Sequence, residues 1–336
     1  MLRKIIGREK NVQIDSFYNK NFSYKKISIE EFFKGKRKIF IILPEDSIVL
    51  FGLIPIYRFL KMFYSSENVY ALLNEKFADF RNLIPEFDDI FLFSDIALST
   101  GRGFEKIKNY IMDSDLVINF LESTRWPEIL ASYSKLSINF NGENLKYFNI
   151  NYKVNNLNLE KSILDFFIKE KIIPFIFYKF KKNDVYNIIN FLYENGYKKS
   201  KVLISLNYKD KLNEEKVNNN YFLNLVRNLI SNNKTFLLIN IDNEDLRSKF
   251  YMEFSKFDYN VLFVNKLGIK EQVILSALSS YSIFNFSYYY LLSSLYCRNS
   301  ILLTDSEDLK DKLMQFSYFK DRKIVGYENF LFKNFF

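Results

Sequence analysis

The chain has 336 residues, 48% of them hydrophobic, and it carries a formal net charge of +9 with no histidine and a single cysteine. Without histidine there is no His-based catalytic triad and no His-ligated metal site, and the lone Cys297 excludes an intrachain disulfide and a multi-cysteine metal site. The length and the apolar content suggest two domains with substantial cores. Lysines and acidic residues are interspersed along the chain, so the positive charge indicates a mostly solvated surface.

The N-terminal residues lack the apolar core of a signal peptide. The two longest apolar stretches, Ile48–Leu60 and Tyr281–Cys297, are too short or too interrupted by polar residues to predict a membrane span. We therefore expect a cytoplasmic protein, and peripheral contact with the inner membrane surface is left open. Cys297 lies in an apolar stretch, which predicts a buried small hydrophobic side chain rather than a nucleophile.

Residues 1–30 have a mixed polar composition and predict an N-terminal extension outside the core. The strongest pattern follows it. Ile39–Leu43 is a continuous apolar run, which predicts a strand buried on both faces of a parallel sheet. Glu45, Asp46 and Ser47 come next, at the carboxyl end of that strand, where open α/β sheets bind ligands. The first predicted helix begins here and continues through the apolar stretch Ile48–Leu60. Acids in place of phosphate-binding glycines favour proton chemistry or hydroxyl binding, and the alternative is that Asp46 or Ser47 caps this helix.

Strand and helix patterns alternate over residues 31–150, which predicts a first α/β domain. After the first strand, the predicted strands are Val69–Leu73, Asp89–Phe93, Asp115–Leu121 and Leu136–Phe140. The predicted helices after the first are Phe77–Ile84, Phe104–Met112 and Pro127–Tyr133, with a loop at Ser99–Gly103. Residues 151–183 predict a linker with one helix, Leu159–Glu170.

A second alternation predicts another α/β domain over residues 184–336. Its predicted strands are Val202–Leu206, Thr235–Ile239, Val261–Val264, Ser282–Phe286 and Ile301–Thr304. Its predicted helices are Asp184–Asn195, Tyr221–Ser231, Asp242–Phe257, Gly268–Ser280, Tyr289–Tyr296 and Ser306–Phe316. Two similar α/β halves predict a cleft between them, which is a common location for a small-ligand site.

Six short segments, in order along the chain, carry a family resemblance. They are Leu43–Ile48, Ile84–Ile90, Asp115–Phe120 with Arg125, Ile138–Gly142, Lys216 before Tyr221-Phe222, and Asn265–Glu271. In this order they resemble motifs of the heptosyltransferase-type glycosyltransferases (glycosyltransferase family 9), and Leu43–Ile48 is similar to that family's opening strand and Gly-Asp pair. The resemblance spans residues 36–305 and implies a GT-B type fold, in which two Rossmann-like domains face each other across a cleft.

What the resemblance implies is an inverting, metal-independent transfer of a sugar from a nucleotide diphosphate-sugar to a hydroxyl of a cell-envelope or protein acceptor, without a cofactor. The family's catalytic acid falls on Asp46, which would accept the proton of the acceptor hydroxyl. The acceptor-side candidates are Glu45, Ser47 and Arg125. The family's phosphate-contacting lysine maps best to Lys216, and Ser287 lies in the stretch that corresponds to the family's donor-binding motif. Lys209 is a further donor- or phosphate-binding candidate, because it lies in a polar loop after the predicted strand Val202–Leu206, where a cation could face a diphosphate. The alternative for the lysines is a solvated polar loop.

The chain departs from the family pattern in its last third. The family's Asp-Thr/Ser-Gly-x-x-His stretch is replaced by Phe286–Leu295, in which tyrosines and leucines stand where the acid, the glycine and the histidine would be. Its donor-side Gly-Gly is replaced by Asn240–Asn243. A tyrosine at the glycine position would block the approach of a phosphate to the backbone. The pattern suits either a strongly altered donor or a catalytically inactive pseudo-glycosyltransferase that acts as a binding or assembly module.

Nucleic-acid binding is the weakest of the three function classes, because the aromatic residues fall at the spacing of strand and helix cores. No nucleic acid is therefore expected as a partner. The tyrosines Tyr288–Tyr290 would be core or interface anchors in the pseudo-glycosyltransferase alternative.

Overall fold

The structure is a computed structural model that describes residues 38–63, 68–94, 101–121, 125–140, 148, 150–152, 154, 159–168, 178–209, 219–231, 234–255, 260–320 and 322–326. The chain divides into two compact units. The first unit consists of Met1–Asp46 and Ile56–Ile173, and the second consists of Ser47–Pro55 and Pro174–Phe336. The predicted extension, residues 1–30, lies outside the described residues.

The first unit is built on a six-stranded parallel sheet in the order β3-β2-β1-β4-β5-β6. Its strands are β1 (Lys38–Ile42), β2 (Asn68–Asn74), β3 (Asp89–Phe93), β4 (Leu116–Asn119), β5 (Ser137–Asn139) and β6 (Ile150–Asn151). The helices along this part of the chain are α1 (Ser47–Gly52), α2 (Ile54–Phe63), α3 (Ala78–Leu83), α4 (Gly101–Asp113), α5 (Arg125–Ala131) and α6 (Leu159–Ile168). Ile39 to Ile42 are buried, as expected for a central parallel strand covered on both faces.

The second unit repeats this architecture in a parallel sheet of order β12-β11-β10-β7-β8-β9. Its strands are β7 (Val202–Tyr208), β8 (Thr235–Ile241), β9 (Val261–Phe263), β10 (Tyr281–Asn285), β11 (Ser300–Leu303) and β12 (Lys323–Val325). Its helices are α7 (Lys182–Glu194), α8 (Asn219–Ile230), α9 (Glu244–Phe254), α10 (Ile269–Leu278), α11 (Tyr288–Ser294), α12 (Glu307–Met314) and α13 (Ser317–Lys320). The helix α1 belongs to this unit by its contacts with α11, α12 and α13.

Several boundaries differ from the prediction. Helix α4 already begins at Gly101, so the predicted loop Ser99–Gly103 is wrong for its last three residues, and Ser99 and Thr100 lie outside the described part of the chain. The short strand β6 spans the boundary predicted between the first domain and the linker, and neither β6 nor β12 was predicted as a strand. Helix α9 begins at Glu244 rather than Asp242, because the Asn243 side chain accepts a 2.9 Å hydrogen bond from the Leu246 amide and caps the helix.

A row of asparagines, two of them buried and the third, Asn151, exposed, lies at one end of the first sheet. Asn119, Asn139 and Asn151 are paired across neighbouring strands, and each is the last residue of its strand. Asn119 Nδ2 donates to Asn139 Oδ1 at 2.9 Å, and Asn139 Nδ2 donates to Asn151 Oδ1 at 3.1 Å. The strand ends at this edge are therefore connected by hydrogen bonds between side-chain amides.

In the described helices of both units, no segment combines the length and apolar character that crossing a membrane requires.

Candidate functional site

Lys209 lies at the carboxyl end of β7, the central strand of the second unit. Its side chain is only 9% exposed, and its Nζ lies 2.6 Å from Asp242 Oδ1. The same ammonium group stands 5.2 Å from the ring centroid of Tyr289. Because a buried cation is costly unless it is paired, Asp242 and the ring of Tyr289 together hold the charge in place. The alternative prediction of a solvated loop is wrong for Lys209.

The backbone of Lys209 is fixed by Asn285, the last residue of β10. Asn285 Oδ1 accepts from the Lys209 amide at 2.9 Å, and Asn285 Nδ2 donates to the Lys209 carbonyl at 2.8 Å. Two residues further on, the buried Ser287 caps α11, since its Oγ accepts from the Tyr290 amide at 3.2 Å. Asn285 thus connects Lys209 with Ser287, and both were predicted as donor-side candidates. Lys216 lies outside the described residues.

Buried side-chain amides form a hydrogen-bonded layer near the carboxyl ends of β7 and β8, where Asn207 lies two residues before Lys209. Asn240 Nδ2 donates to Asn207 Oδ1 at 3.3 Å and to Gln272 Oε1 at 3.0 Å. Gln272 Nε2 in turn donates to the Leu267 carbonyl at 2.8 Å. Asn240 Oδ1 is buried and has no hydrogen-bond partner among the described residues. The layer therefore keeps an unused acceptor at the carboxyl end of β8.

A cavity of about 750 Å³ opens beside the end of β9. It is lined by Arg247, Ser248, Tyr251, Met252, Phe263, Asn265 and Lys266. Tyr251 and Met252 are 59% and 75% exposed, and the rings of Tyr251 and Phe263 lie 5.4 Å apart. The side-chain Nδ2 of Asn265 donates a hydrogen bond to the carbonyl of Ile241, the residue before Asp242. One residue of the cavity lining is thereby hydrogen-bonded to the last residue of β8.

The sequence offered little sign of this cavity. Asn265 and Lys266 belong to a segment noted for its resemblance, but the aromatic and apolar side chains come from the middle of α9 and from β9. Their convergence depends on how a helix packs along an edge strand. Tyr251 and Met252 fall outside the apolar stripe of Leu246, Phe250 and Phe254 at four-residue spacing, and that placement is the signal that could have indicated it.

The three tyrosines of α11 are packed rather than open to solvent at the helix start. Tyr289 and Tyr290 are buried, and the Tyr289 hydroxyl lies 3.1 Å from Ser276 Oγ. Burial raises the pKa of both phenols far above their ordinary value. Tyr288, which the sequence resemblance aligns with a glycine of the family motif, packs edge-on against Phe51 of α1 with a ring separation of 5.6 Å. Aromatic side chains therefore fill the space at the start of this helix.

The predicted catalytic and acceptor-side residues lie directly after β1 or at the start of α5. Asp46 is exposed, while Glu45 and Ser47 are half-buried. Glu45 Oε1 accepts a 3.1 Å hydrogen bond from Asn74 Nδ2 at the end of the adjacent β2. Ser47 is the first residue of α1 and Arg125 the first residue of α5. Glu45 and Asp46 thus stand at the carboxyl edge of the first sheet, as the strand pattern predicted.

No protein-family model matches the chain, and no curated protein matches its sequence. Solved structures do match. A glycosyl transferase family 9 protein from Veillonella parvula DSM 2008 aligns with a TM-score of 0.68 and 10% identity, over 87% of this chain and 86% of that one. The E. coli ADP-heptose lipopolysaccharide heptosyltransferase II gives 0.65 and 11%, over 86% and 90%. The E. coli heptosyltransferase WaaC with ADP gives 0.61 and 10%, over 86% and 93%.

At identities of 10–11% these similarities establish the fold. The chain has the α/β architecture of the glycosyltransferase family 9 structures, with one Rossmann-like parallel sheet in each unit. The predicted fold class and the predicted structural resemblance are confirmed.

Proposed function

We propose that the chain is a glycosyltransferase that takes a nucleotide diphosphate-sugar as donor and a hydroxyl of a cell-envelope glycan or a protein as acceptor, by inverting transfer without a metal ion. The single observation that carries the proposal is the buried Lys209 ammonium at the carboxyl end of β7, held by Asp242. A preorganised cation at a carboxyl strand end suits a diphosphate leaving group.

In the proposed reaction the acceptor oxygen attacks the anomeric carbon, and the bond from that carbon to the diphosphate oxygen breaks with its electron pair leaving on the diphosphate. Asp46, exposed after β1, would take the acceptor proton. Lys209 would balance the negative charge that develops on the diphosphate. The rings of Tyr251 and Phe263, with the cations of Arg247 and Lys266, suit the flat base and the ribose-phosphate end of a nucleotide.

Asp242 makes this proposal testable in both directions. The Asp242 carboxylate is already paired with the Lys209 ammonium group, so an incoming diphosphate must compete with this carboxylate for the cation. Replacing Asp242 by Asn removes the competing charge and should tighten the binding of ADP and of ADP- or UDP-linked sugars. Lys209→Met should weaken the same binding by about 10- to 100-fold, the range expected for a charge-assisted hydrogen bond.

Isothermal titration calorimetry of these ligands, with the melting temperature of each variant recorded alongside, would check both expectations. Lys312→Met, an exposed lysine of α12, is the matched control and should bind as the unchanged protein does. Failure to bind any of the nucleotides would refute the enzyme proposal. Sugar transfer that persisted in Asp46→Ala would remove Asp46 from the mechanism while leaving donor binding intact.

A second candidate function is a pseudo-glycosyltransferase that uses the fold for binding or assembly. The specific observation in its favour is Tyr288, which stands at the family's glycine position and packs against Phe51. A phosphate could reach that backbone only if the ring moved. Tyr288→Gly separates the two candidates, because it should restore or strengthen diphosphate binding if this ring is what blocks the donor, and should change nothing if the donor never binds there.

A further inference from the structure

Helix α7 exposes an aromatic stripe on the surface of the second unit. In this helix only Ile188 and Leu192 are buried, whereas Tyr186 and Tyr193 are 62% and 40% exposed. Tyr186, Ile189 and Tyr193 are spaced three and four residues apart, which places them along one side of the helix. Tyr197 continues this line, because its ring stacks on that of Tyr193 at 6.0 Å and 18°. We call Tyr186, Ile189, Tyr193 and Tyr197 the tyrosine stripe.

Lysines stand at both ends of the tyrosine stripe. Lys181 and Lys182 lie at the start of α7, and Lys198 and Lys199 lie shortly after its end; all four are exposed. A helix of 13 residues is about 20 Å long, so the two pairs flank the aromatic rings instead of surrounding them. The carboxylate of Asp184 is already paired with Lys270 at 2.7 Å. The surface therefore presents an amphipathic centre between two cationic ends.

We propose that the tyrosine stripe and its flanking lysines dock the second unit on an anionic lipid bilayer, with α7 lying in the plane of the membrane surface. Tyrosine favours the membrane–water interface because its ring is apolar and its hydroxyl is polar, and lysine keeps its charge among the headgroups while its stem covers apolar surface. An amphipathic helix with cations beside its apolar face binds in this orientation, through buried area plus attraction to anionic lipid.

Other partners fit this surface less well. A second copy of the chain would bring the lysine pairs of two molecules together, and like charges oppose such an interface. Single-stranded nucleic acid binds separate aromatic platforms that alternate with bases, whereas Tyr193 and Tyr197 are already stacked on each other. The proposal is independent of the glycosyltransferase function, because none of these residues lines the cavity or contacts Lys209.

Vesicle flotation with the full chain tests the proposal. We expect binding to phosphatidylcholine vesicles that contain phosphatidylglycerol, little binding to phosphatidylcholine alone, and weakening with added salt. Each single change of Lys181, Lys182, Lys198 or Lys199 to Gln should reduce the partition coefficient about fivefold, and the four changes together form the set that is compared with the control lysines. Glu194→Gln, which removes the exposed carboxylate at the end of α7, should increase it, a gain that misfolding could not produce.

Two matched controls separate this surface from general charge and general hydrophobicity. Lys234, Lys249, Lys312 and Lys320, all exposed and elsewhere in the second unit, are changed to Gln together and should leave binding nearly unchanged. Tyr186→Ser combined with Tyr193→Ser should abolish flotation, whereas Tyr251→Ser should not. Equal losses in the two lysine sets would overturn the proposal, as would flotation insensitive to phosphatidylglycerol. So would a single-stranded RNA that bound this face more tightly than the vesicles do.

Discussion

Cys297 follows α11 in the core of the second unit, where its carbonyl accepts a 3.0 Å hydrogen bond from Arg322 Nη1. Burial raises the pKa of its thiol from an ordinary 9.0 to about 12, although the nearby Arg322 guanidinium pulls it the other way. The expectation of a buried side chain is confirmed. A raised pKa keeps the thiol in its protonated, weakly nucleophilic form.

We predict that iodoacetamide modifies Cys297 in the folded protein at least about a thousandfold more slowly than in the denatured chain, since the thiolate fraction falls about tenfold for each unit of pKa. Mass spectrometry of timed samples at about pH 8 measures both rates. Cys297→Ser combined with Lys312→Cys supplies an exposed thiol as the reactivity control. Rapid labelling of the folded protein would show that the core around α11 opens readily.

Lys209 shows how a residue type can be misjudged from its frequency. Lysine is abundant in this chain, and abundance favours a solvated surface. The side chain is buried because three elements distant in sequence meet around it: Asp242 after β8, Asn285 at the end of β10, and Tyr289 in α11. No local pattern encodes that meeting, so the position of Lys209 after a predicted strand made it a candidate, whereas its burial was not predictable from the sequence.

At the level of elements, α1 is the least expected. It follows β1 directly, yet it packs in the second unit against α11, α12 and α13. The packing is close enough to require a glycine, because a Cβ added to Gly52 would overlap the ring of Phe316. Phe316 is buried, so its ring can shift only if the surrounding side chains also move. Gly52 is thus a packing glycine, chosen for close approach rather than for backbone freedom.

Gly52→Ala should therefore lower the free energy of unfolding by about 1–3 kcal/mol through overpacking, despite the better helix propensity of alanine. Urea denaturation followed by circular dichroism measures the change. Lys249→Ala, on the exposed face of α9, is the control and should have almost no effect. The loss should shrink when Phe316 is also changed to Leu, and an undiminished loss in that background would point to a cause other than this contact.

For the fold as a whole, the central strands were the most predictable part. Runs such as Ile39–Ile42 and Phe236–Ile239 are apolar because both faces of a parallel strand are covered. The edge strands β6 and β12 were not predicted, because they lack such an apolar run. They have two and three residues of mostly intermediate burial, so no apolar run marks them. The cavity at β9 and the packing of α1 were likewise invisible, because they arise from tertiary contacts between separate elements.

The whole molecule should lose stability at alkaline pH, because burial raises the pKa of several phenols: Tyr57 in the first unit, and Tyr289, Tyr290 and Tyr318 in the second. Below the ordinary tyrosine pKa of about 10 both folded and unfolded states hold the phenolic proton, so the groups do not affect stability. Above it the unfolded chain releases protons that the folded chain retains. Each such group then reduces the unfolding free energy by about 1.4 kcal/mol per pH unit.

Thermal unfolding followed by circular dichroism should show a melting temperature that is nearly constant to about pH 9 and then falls steeply. Tyr290→Phe is the sharpest variant, because the Tyr290 hydroxyl is buried without a hydrogen-bond partner among the described residues. Removal of this hydroxyl should change the melting temperature little at neutral pH and should make its decline at alkaline pH shallower. Tyr186→Phe, at an exposed phenol of α7, should leave the decline unchanged. Identical slopes for Tyr290→Phe and the unchanged protein would mean that Tyr290 ionises as readily in the folded state as in the unfolded one.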